Sequence, residues 1–267
     1  MTPMDTITTV ADYVAESRTN RRLARTTLHY ISDMLDYFGK AKVFEGIYGL
    51  DAQLDDIVAF FKGYAMSMER RLLLLVGPQG SGKSMTVDMI KRRLEEYSRT
   101  PDGALYAVDG CPFHQHPFDL VPIDERESQD LQWHEEAVPC PVCERLIART
   151  GGWPQVPVLR LNISARDKVG VAKHTPTDLR REDITNFVGN INFAMLKERG
   201  STYDPDAYDF EGKVIWANRG ILDWTEVFKS RRQLLSLLLE LIQSKRIDLP
   251  NFPTVHVDTV VIGHTNY

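Results

Sequence analysis

The stretch Leu72-Leu73-Leu74-Leu75-Val76-Gly77-Pro78-Gln79-Gly80-Ser81-Gly82-Lys83-Ser84 decides the fold of this chain of 267 residues. A short apolar run leads straight into the pattern G-x-x-x-x-G-K-S, and a helix-forming segment follows at 85–97. This order of strand, loop and helix is the one that a phosphate-binding loop requires. The glycines at positions 77, 80 and 82 allow positive φ angles, so the backbone can curl around an anion. The N–H groups of that curl and the start of the next helix attract phosphate oxygens. The stretch therefore predicts a nucleotide-binding site.

The loop also predicts roles for single residues. In loops of this type the lysine reaches the β- and γ-phosphates and the serine hydroxyl binds Mg²⁺. We therefore expect Lys83 to act on the phosphates and Ser84 to be a ligand of Mg²⁺. The residues expected to contact the nucleotide are those of the loop and the first helical turn: Gly77, Pro78, Gln79, Gly80, Ser81, Gly82, Lys83, Ser84 and Met85.

Composition and charge argue against several classes of protein. The net charge of −5 and the pI near 5.8 give no overall electrostatic reason to expect nucleic acid as a partner. No run approaches the roughly 18–20 apolar residues of a membrane span, and the N-terminus lacks the basic and apolar regions of a signal peptide. Basic residues at positions 18, 21, 22 and 25 are more typical of a solvated helix face than of a binding patch. Three cysteines in a chain of this size favour a reducing compartment, and we expect the cytoplasm.

The apolar pattern predicts an α/β fold, with a parallel sheet flanked by helices. Residues 1–40 are predicted as an N-terminal helical segment and residues 41–267 as the core. Within the core, residues 110–157 form a polar insertion that is too long for a plain connection. Strands that alternate with helices after a phosphate-binding loop indicate a doubly wound parallel sheet. The predicted strands are 104–109 (second in the parallel sheet), 158–163, 214–216, 221–224 and 255–262, and the predicted helices include 50–61, 183–188, 193–199 and 228–243.

Ile47 and Tyr48 come just before a glycine and a predicted helix. Their spacing resembles that of AAA+ ATPases, in which the segment before such a helix lies against the adenine. Apolar and aromatic side chains suit a base because they offer a flat, desolvated face. The alternative is that both residues are ordinary core at a turn. The resemblance implies that the nucleotide is ATP.

Hydrolysis requires an acidic residue near the metal ion and the attacking water. An apolar strand followed by acidic residues occurs at 217–226, in an imperfect register. If the strand ends at Trp224, Glu226 takes the water-activating position; if it is shorter, Asp223 is the carboxylate on the Mg²⁺ side. We predict Glu226 as catalytic and keep Asp223 as a candidate metal ligand. The alternative is that both residues only cap the following helix.

An apolar strand also leads into Asn266 near the end of the sequence. This arrangement resembles the sensor-1 position of AAA+ ATPases, where an asparagine at a strand tip contacts the γ-phosphate or orients water. Asn266 is therefore a predicted catalytic residue, and the alternative is a plain turn residue. An AAA+ module normally continues into a helical lid, so we expect a module without its lid that hydrolyses ATP slowly on its own.

Several further motifs together resemble the PrkA-type serine protein kinase family, whose N-terminal region is an AAA+ domain. The resemblance covers about residues 44–267 and implies ATP-dependent phosphorylation of protein substrates through a region C-terminal to this sequence. It also implies a homo-oligomer in the intact protein. Segment 171–176 departs from the family pattern, and the sequence contains no H-R-D or D-F-G signature of an ordinary kinase. The motifs that carry the resemblance are 77–84, 94–100, 103–107, 110–114, 140–143, 204–208, 217–220 and 264–266.

Cys140 and Cys143 have the C-x-x-C spacing of a zinc site, and Cys111 with His114 or His116 would complete four ligands. Such a site would hold together an insertion that has little apolar mass. Two alternatives stay open, which are inert thiols and, with less support, redox chemistry.

The combined interpretation is an ATP-binding AAA+ module that couples ATP binding and hydrolysis to protein phosphorylation or remodelling. The main alternative is a scaffold that binds nucleotide without hydrolysing it. A P-loop kinase of small substrates is a weaker third hypothesis, because it gives Asn266 and segment 217–220 no role.

Overall fold

The structure is a computed structural model, and it describes residues 7–67, 72–127, 137–176, 183–199, 204–247 and 254–266. The described helices are α1 (Val10–Thr19), α2 (Thr27–Phe38), α3 (Lys40–Val43), α4 (Asp51–Ser67), α5 (Lys83–Ser98), α6 (Ile123–Glu127), α7 (Pro141–Thr150), α8 (Thr185–Val188), α9 (Phe193–Arg199), α10 (Lys213–Ala217) and α11 (Arg232–Ser244). The described strands are β1 (Leu73–Val76), β2 (Leu105–Val108), β3 (Val158–Leu161), β4 (Val171–His174), β5 (Asn190–Ile191), β6 (Tyr208–Asp209), β7 (Ile221–Thr225), β8 (Arg246–Ile247), β9 (Val255–His256) and β10 (Val260–Thr265).

The centre of the fold is a parallel sheet of four described strands in the order β1-β10-β7-β4. Val76 pairs with Thr265, and His264 pairs with Thr225, so the carboxyl ends of the three strands lie at one edge. Because every strand in this sheet runs the same way, the loops that follow β1, β7 and β10 meet at that edge. The predicted α/β fold with a parallel sheet and flanking helices is confirmed.

The two faces of the sheet bury different side chains. Ile221 and Ile262 belong to one apolar cluster, whereas Leu222 and Trp224 belong to the other. This division follows from the alternation of side chains along a strand. Helix α5 begins immediately after the phosphate-binding loop and buries Ile90 in the first cluster. The loop is therefore held between a buried strand and a buried helix.

The N-terminal segment contributes to both clusters. It consists of α1 and α2, separated by a short 3₁₀ turn over Arg21–Ala24. Gly39, with φ of +76°, ends α2. Apolar side chains of α1 lie in the cluster that contains Trp224, and those of α2 lie in the cluster that contains Ile262. The described residues from 7 to 38 thus contribute to the clusters on both sides of the sheet.

The insertion at 110–157 has structure of its own, with α6 and α7 among its described residues. It returns the chain in the opposite direction, so β2 pairs antiparallel with β3 in a separate two-stranded sheet. The prediction that 104–109 would be second in the parallel sheet was therefore wrong. The physical reason is that a chain reversal next to β2 offers its backbone groups a nearer partner than the parallel sheet does.

Two other predicted elements differ from the structure, and one observed strand was not predicted. Segment 214–216 is part of helix α10, because a three-residue apolar run carries no period that separates a strand from a helix. Segment 255–262 is broken into β9 and β10 around Asp258, a buried aspartate that bonds to other elements. Strand β4 was not predicted, since Lys173 interrupts its short apolar run, yet it pairs with β7 along its whole length.

Candidate nucleotide-binding site

The loop between β1 and α5 has the backbone that the sequence predicts at two of its three glycines. Gly80 and Gly82 have φ of +78° and +81°, a region that glycine adopts without strain. Gly77 does not have a positive φ, so the expectation for that residue was wrong. Its role is spatial, because a Cβ atom there would lie 3.0 Å from the Ser81 hydroxyl oxygen. Two glycines therefore form the curl, and the third leaves room for the side chains inside it.

Lys83 points back across the loop. Its ammonium donates to the carbonyl oxygens of Gly77 at 2.6 Å and Pro78 at 2.7 Å, and to the Ser81 hydroxyl at 3.2 Å. The charge is therefore at the centre of the curl, where the phosphates of a nucleotide would be bound. Ser84 and Met85 follow Lys83 directly in the first turn of α5, and both are exposed.

Asn266 connects the lysine to a carboxylate. Its side-chain oxygen accepts from Lys83 Nζ at 3.1 Å, and its side-chain nitrogen donates to Glu226 Oε1. The structure thus brings the three predicted catalytic residues into one hydrogen-bonded chain at the carboxyl edge of the sheet. Lys83 is the first residue of α5, Glu226 follows β7, and Asn266 follows β10.

Glu226 reaches this position through an uncommon backbone angle. Strand β7 ends at Thr225, and Glu226 has φ of +50° in the left-handed region. Strand alternation would have predicted a side chain directed away from the face of Thr225. Partial burial by itself raises the pKa of Glu226, but Lys229 Nζ at 3.2 Å and Asn266 outweigh that effect and lower the pKa. The carboxylate is therefore held in its charged form.

Asp223 is bound elsewhere in the fold. Its carboxylate is buried and accepts from Lys91 Nζ at 2.7 Å, while His264 Nε2 lies 2.9 Å from its other oxygen. Burial by itself raises the pKa of Asp223, and the contacts with His264 and Lys91 reverse this and lower it. Lys91 is seven residues after Ser84, about 10 Å along the axis of α5. The structure therefore does not bring Asp223 and Ser84, the two candidate Mg²⁺ ligands, together.

A cavity of about 500 Å³ adjoins the loop, between α4 and β1. Leu50, Ile57 and Phe60 form its apolar wall on the side of α4. An apolar cleft with a few polar groups at one end is typical of small-molecule sites. Neither Ile47 nor Tyr48 lines it, and Tyr48 is 89% exposed. Apolar residues of the predicted helix at 50–61, and not the two residues before it, therefore line the cavity next to the loop.

Asn218 is a central residue that the sequence analysis did not single out. Its side-chain nitrogen donates to the Phe113 carbonyl, and its oxygen accepts from the backbone N–H of Asp258 at 2.8 Å and of Arg219 at 3.0 Å. It lies just before β7, at the end of the strand opposite Glu226. One buried amide therefore joins the insertion, β7 and the segment before β10. The only signal in the sequence was its place in the motif at 217–220.

The three cysteines lie together, and their sulfur atoms are all within 4.8 Å of one another. His114 does not belong to this group. His116 has other partners: its Nδ1 accepts from the Phe118 N–H, and its Nε2 lies 3.1 Å from the Tyr13 hydroxyl. Of the four predicted zinc ligands, the structure thus assembles Cys111, Cys140 and Cys143. Within the described parts of the chain, no helix is both long and apolar enough to span a membrane.

Comparisons with known proteins agree with this architecture. The family model described as the PrkA AAA domain matches residues 8–267. The Bacillus subtilis (strain 168) protein named ATP-dependent protease PrkA is 32% identical over 275 residues, which cover 97% of this chain and 43% of that protein. The Escherichia coli (strain K12) protein named serine/threonine kinase YeaG is 26% identical over 238 residues, which cover 84% of this chain and 36% of that protein. The chain thus spans less than half the length of either relative.

One solved structure is also similar in outline. It describes a complex between subunits BchI and BchD of magnesium chelatase, and the match has 20% identity and a TM-score of 0.43. The match covers 73% of this chain and 46% of that chain.

Proposed function

This chain belongs to the PrkA family through its AAA domain, and on that basis we propose that it binds ATP with Mg²⁺ and hydrolyses the ATP. The observation that carries the proposal is the chain of contacts from Lys83 through Asn266 to Glu226. It places an ammonium, an amide and a carboxylate side by side, which are the groups that phosphoryl transfer to water requires.

Each of these groups has a distinct task in the proposal. Lys83 exchanges its bonds to the loop carbonyls for bonds to the β- and γ-phosphates, since an ammonium binds an anion more strongly than a neutral oxygen. Asn266 contacts the terminal phosphate. Glu226 orients the attacking water and accepts its proton.

The residues present also fit a magnesium ion. Mg²⁺ prefers oxygen ligands, keeps several of its waters and is held through substrate phosphates and one or two protein groups. The exposed Ser84 hydroxyl beside Lys83 supplies such a group. The ion would offset charge on the phosphates. Asp223 would have to leave Lys91 and His264 to reach it, so we assign that carboxylate a structural role.

We propose that the intact protein acts on protein substrates. The two relatives are named as an ATP-dependent protease and as a serine/threonine kinase, and both names denote action on proteins. Phosphorylation or remodelling of a protein substrate, driven by this module, is the function we propose. The three cysteines form no disulfide bond, which suits a reducing compartment, and we propose that the protein lies in the cytoplasm.

The proposed assembly is a homo-oligomer. AAA domains often act as oligomers, and Phe228, two residues after Glu226, is 64% exposed. An exposed aromatic residue beside a proposed active site suits contact with a neighbouring subunit.

Turnover per chain should therefore rise with protein concentration, and Phe228→Ser should weaken that dependence without lowering ATP affinity.

A nucleotide-gated scaffold is the second candidate, and one contact favours it. Lys229 Nζ lies 3.2 Å from Glu226 Oε2 and helps to lower the pKa of Glu226, which makes the carboxylate a weaker base. In this alternative ATP binding would set an assembly state and Glu226 would only anchor Asn266.

ATP binding and phosphate release measured on the intact protein separate the two candidates. For an ATPase, Glu226→Gln should keep ATP affinity within a few-fold and reduce turnover by about 100-fold or more, because the base is lost. Lys83→Ala should weaken ATP binding by at least about 10-fold, because the phosphate loses its charged donor. The exposed residues Glu211 and Lys197 provide matched controls, Glu211→Gln and Lys197→Ala. Turnover that survives Glu226→Gln would refute the ATPase assignment of this carboxylate.

A further inference from the structure

Three cysteines from two distant segments converge in the insertion. Cys111 follows β2, whereas Cys140 and Cys143 stand at the start of α7. All three are buried, and their sulfur atoms lie within 4.8 Å of one another. They are the only cysteines in the sequence. Convergence of every thiol of the chain on one point calls for a chemical reason.

The spacing of the sulfur atoms suits a shared metal ion. Cys111 Sγ and Cys140 Sγ are 3.7 Å apart, too far for a disulfide bond. Two thiolates bound to one Zn²⁺ at about 2.3 Å in a tetrahedral arrangement lie about 3.8 Å apart. The observed distance therefore matches one edge of a zinc tetrahedron.

The surroundings support thiolate ligands. The Cys143 N–H points to Cys140 Sγ at 3.5 Å. Donors of this kind stabilise negative charge on sulfur and orient metal ligands. Cys140 is also the N-cap of α7, a helix of ten residues whose amino end favours an anion.

A buried glutamine fixes the two segments relative to each other. The side-chain oxygen of Gln115 accepts from Cys140 N at 2.8 Å, and its nitrogen donates to the Val138 carbonyl at 2.7 Å. Gln115 is 1% exposed, so these bonds are made away from water. The two halves of the cysteine group are therefore held at a set separation by polar contacts and do not rely on the sulfur atoms alone.

The other two interpretations of the cysteines explain less. Redox exchange needs a thiol that a partner can reach, but Cys111, Cys140 and Cys143 are 5%, 1% and 0% exposed. Inert buried thiols would need no backbone donors directed at sulfur. Zinc explains the burial, the backbone donor at Cys140 and the convergence together.

We propose that Cys111, Cys140 and Cys143 bind one structural Zn²⁺ ion, with a water as the fourth ligand. Binding releases the three thiol protons to solvent, and no oxidant or reductant takes part. The ion joins the loop after β2 to helix α7. Because the Phe113 carbonyl in that loop accepts from Asn218, the zinc site also steadies the start of β7, the strand that ends at Glu226.

Metal analysis of the intact protein, purified without chelator, tests the site directly. We expect about one zinc ion per chain. Protein produced with Co²⁺ in place of zinc should show the strong near-ultraviolet absorption of cobalt–thiolate bonds. This second measurement needs no variant, so it holds even if cysteine variants fail to fold. Protein with no bound metal and no such absorption would overturn the proposal.

Substitutions distinguish the proposed cysteine ligands from a nearby residue that does not bind the ion. Cys143→Ser should reduce bound zinc at least about 10-fold, because a hydroxyl is a far poorer ligand than a thiolate. A strong zinc chelator should lower the Tm of the natural protein and leave that of Cys143→Ser unchanged. His114→Ala is the matched control, since the His114 ring is half-buried nearby but outside the sulfur group, and it should keep its zinc. Full zinc in Cys143→Ser, or a disulfide found among the three cysteines, would contradict the assignment.

Discussion

Asn266 is placed so that the two ends of its amide contact opposite charges. Its oxygen faces the ammonium of Lys83, and its nitrogen faces the carboxylate of Glu226. Each neighbour fixes the orientation of the amide, so the amide in turn keeps the two charges apart and aligned. An aspartate would have almost the same shape but would present a carboxylate oxygen to Glu226.

The variant Asn266→Asp is therefore expected to disturb the carboxylate more than the lysine. A second negative charge beside Glu226 raises the pKa of Glu226, so the base becomes protonated at a higher pH. The acid limb of the pH–rate profile should move to higher pH, and turnover near neutral pH should fall. The measurement is phosphate release across pH, with Asn266→Ala as the control that removes the amide without adding charge. A shift of the acid limb in Asn266→Ala as large as in Asn266→Asp would contradict this explanation.

Much of the site was predictable at the residue scale, because its residues follow strand ends. Lys83 belongs to a recognisable loop, and Asn266 and Glu226 follow apolar strands, whose carboxyl ends meet in a parallel sheet. The contacts of Asp223 were not predictable, since Lys91 is 132 positions away in sequence. The left-handed turn at Glu226 was not predictable either, because a glutamate gives no signal for that conformation.

At the scale of elements, helix α5 and strand β7 are linked by a buried ion pair. Lys91 on α5 contacts both Asp223 at 2.7 Å and Asp88 at 2.6 Å, and Asp223 is 1% exposed on its side chain. The helix that follows the loop is thereby tied to the strand that precedes Glu226. This link sets the distance between the two parts of the proposed site.

Asp223→Ala is expected to lower the free energy of unfolding by about 3 kcal/mol, because it leaves a largely buried ammonium without its buried partner. The folded pKa of Asp223 is below the usual value of 3.8. Its stabilising contribution is therefore complete above that pH and is lost as the pH falls through the lower folded value. Urea unfolding of both proteins at neutral and acidic pH should show a difference that shrinks on acidification. A difference that grew on acidification would contradict the pairing.

Strands β4 and β7 start with two glycine backbones in close contact. A Cβ atom on Gly220 would lie 1.8 Å from the Gly170 carbonyl oxygen. Gly220→Ala should therefore lower the free energy of unfolding by more than about 3 kcal/mol, because the backbones at Gly220 and Gly170 must move apart for the methyl group to fit. The exposed helical Gly63, where a Cβ meets nothing within 4 Å, is the matched control. Gly63→Ala should raise stability by about 0.5–1 kcal/mol in the same thermal unfolding experiment.

The elements were predictable where a sequence motif fixes their position. The strand before the loop and helix α5 flank the pattern at 77–84, and both were predicted within two residues of their ends. Strand β4 and helix α10 are four and five residues long, too short for periodicity to decide. The antiparallel pairing of β2 depends on where a long insertion returns, which is a property of tertiary structure.

On the scale of the whole molecule, the N-terminal helices belong to the same packed body as the sheet. Asp258, just before β10, accepts from the backbone N–H of Thr27 at 2.6 Å, and the Thr27 hydroxyl donates to the Asp258 carbonyl at 2.7 Å. Thr26, the N-cap of α2, makes no side-chain cap of its own. A carboxylate from the far end of the sequence therefore takes the place of the missing cap.

A chain that begins at residue 40 is expected to lose cooperative folding. It would lack Tyr13, Tyr30 and Met34, each 0% exposed, and would leave their apolar neighbours in contact with water. Near-ultraviolet circular dichroism and urea unfolding should show a broad transition at lower denaturant in place of a sharp one. A shortened chain that unfolds with the same midpoint and slope as the natural chain would show that residues 1–39 do not stabilise the core.

The backbone of Glu226 carries a conformational penalty that folding does not explain. A non-glycine residue at φ of +50° costs on the order of 1 kcal/mol relative to an ordinary angle, and glycine or asparagine adopts it more readily. A sequence selected only for stability would place one of those residues at position 226. Under the proposed function, the glutamate lowers the stability of the fold but supplies a catalytic base, so directed evolution toward heat resistance alone should replace it early and lose ATP turnover in the same step.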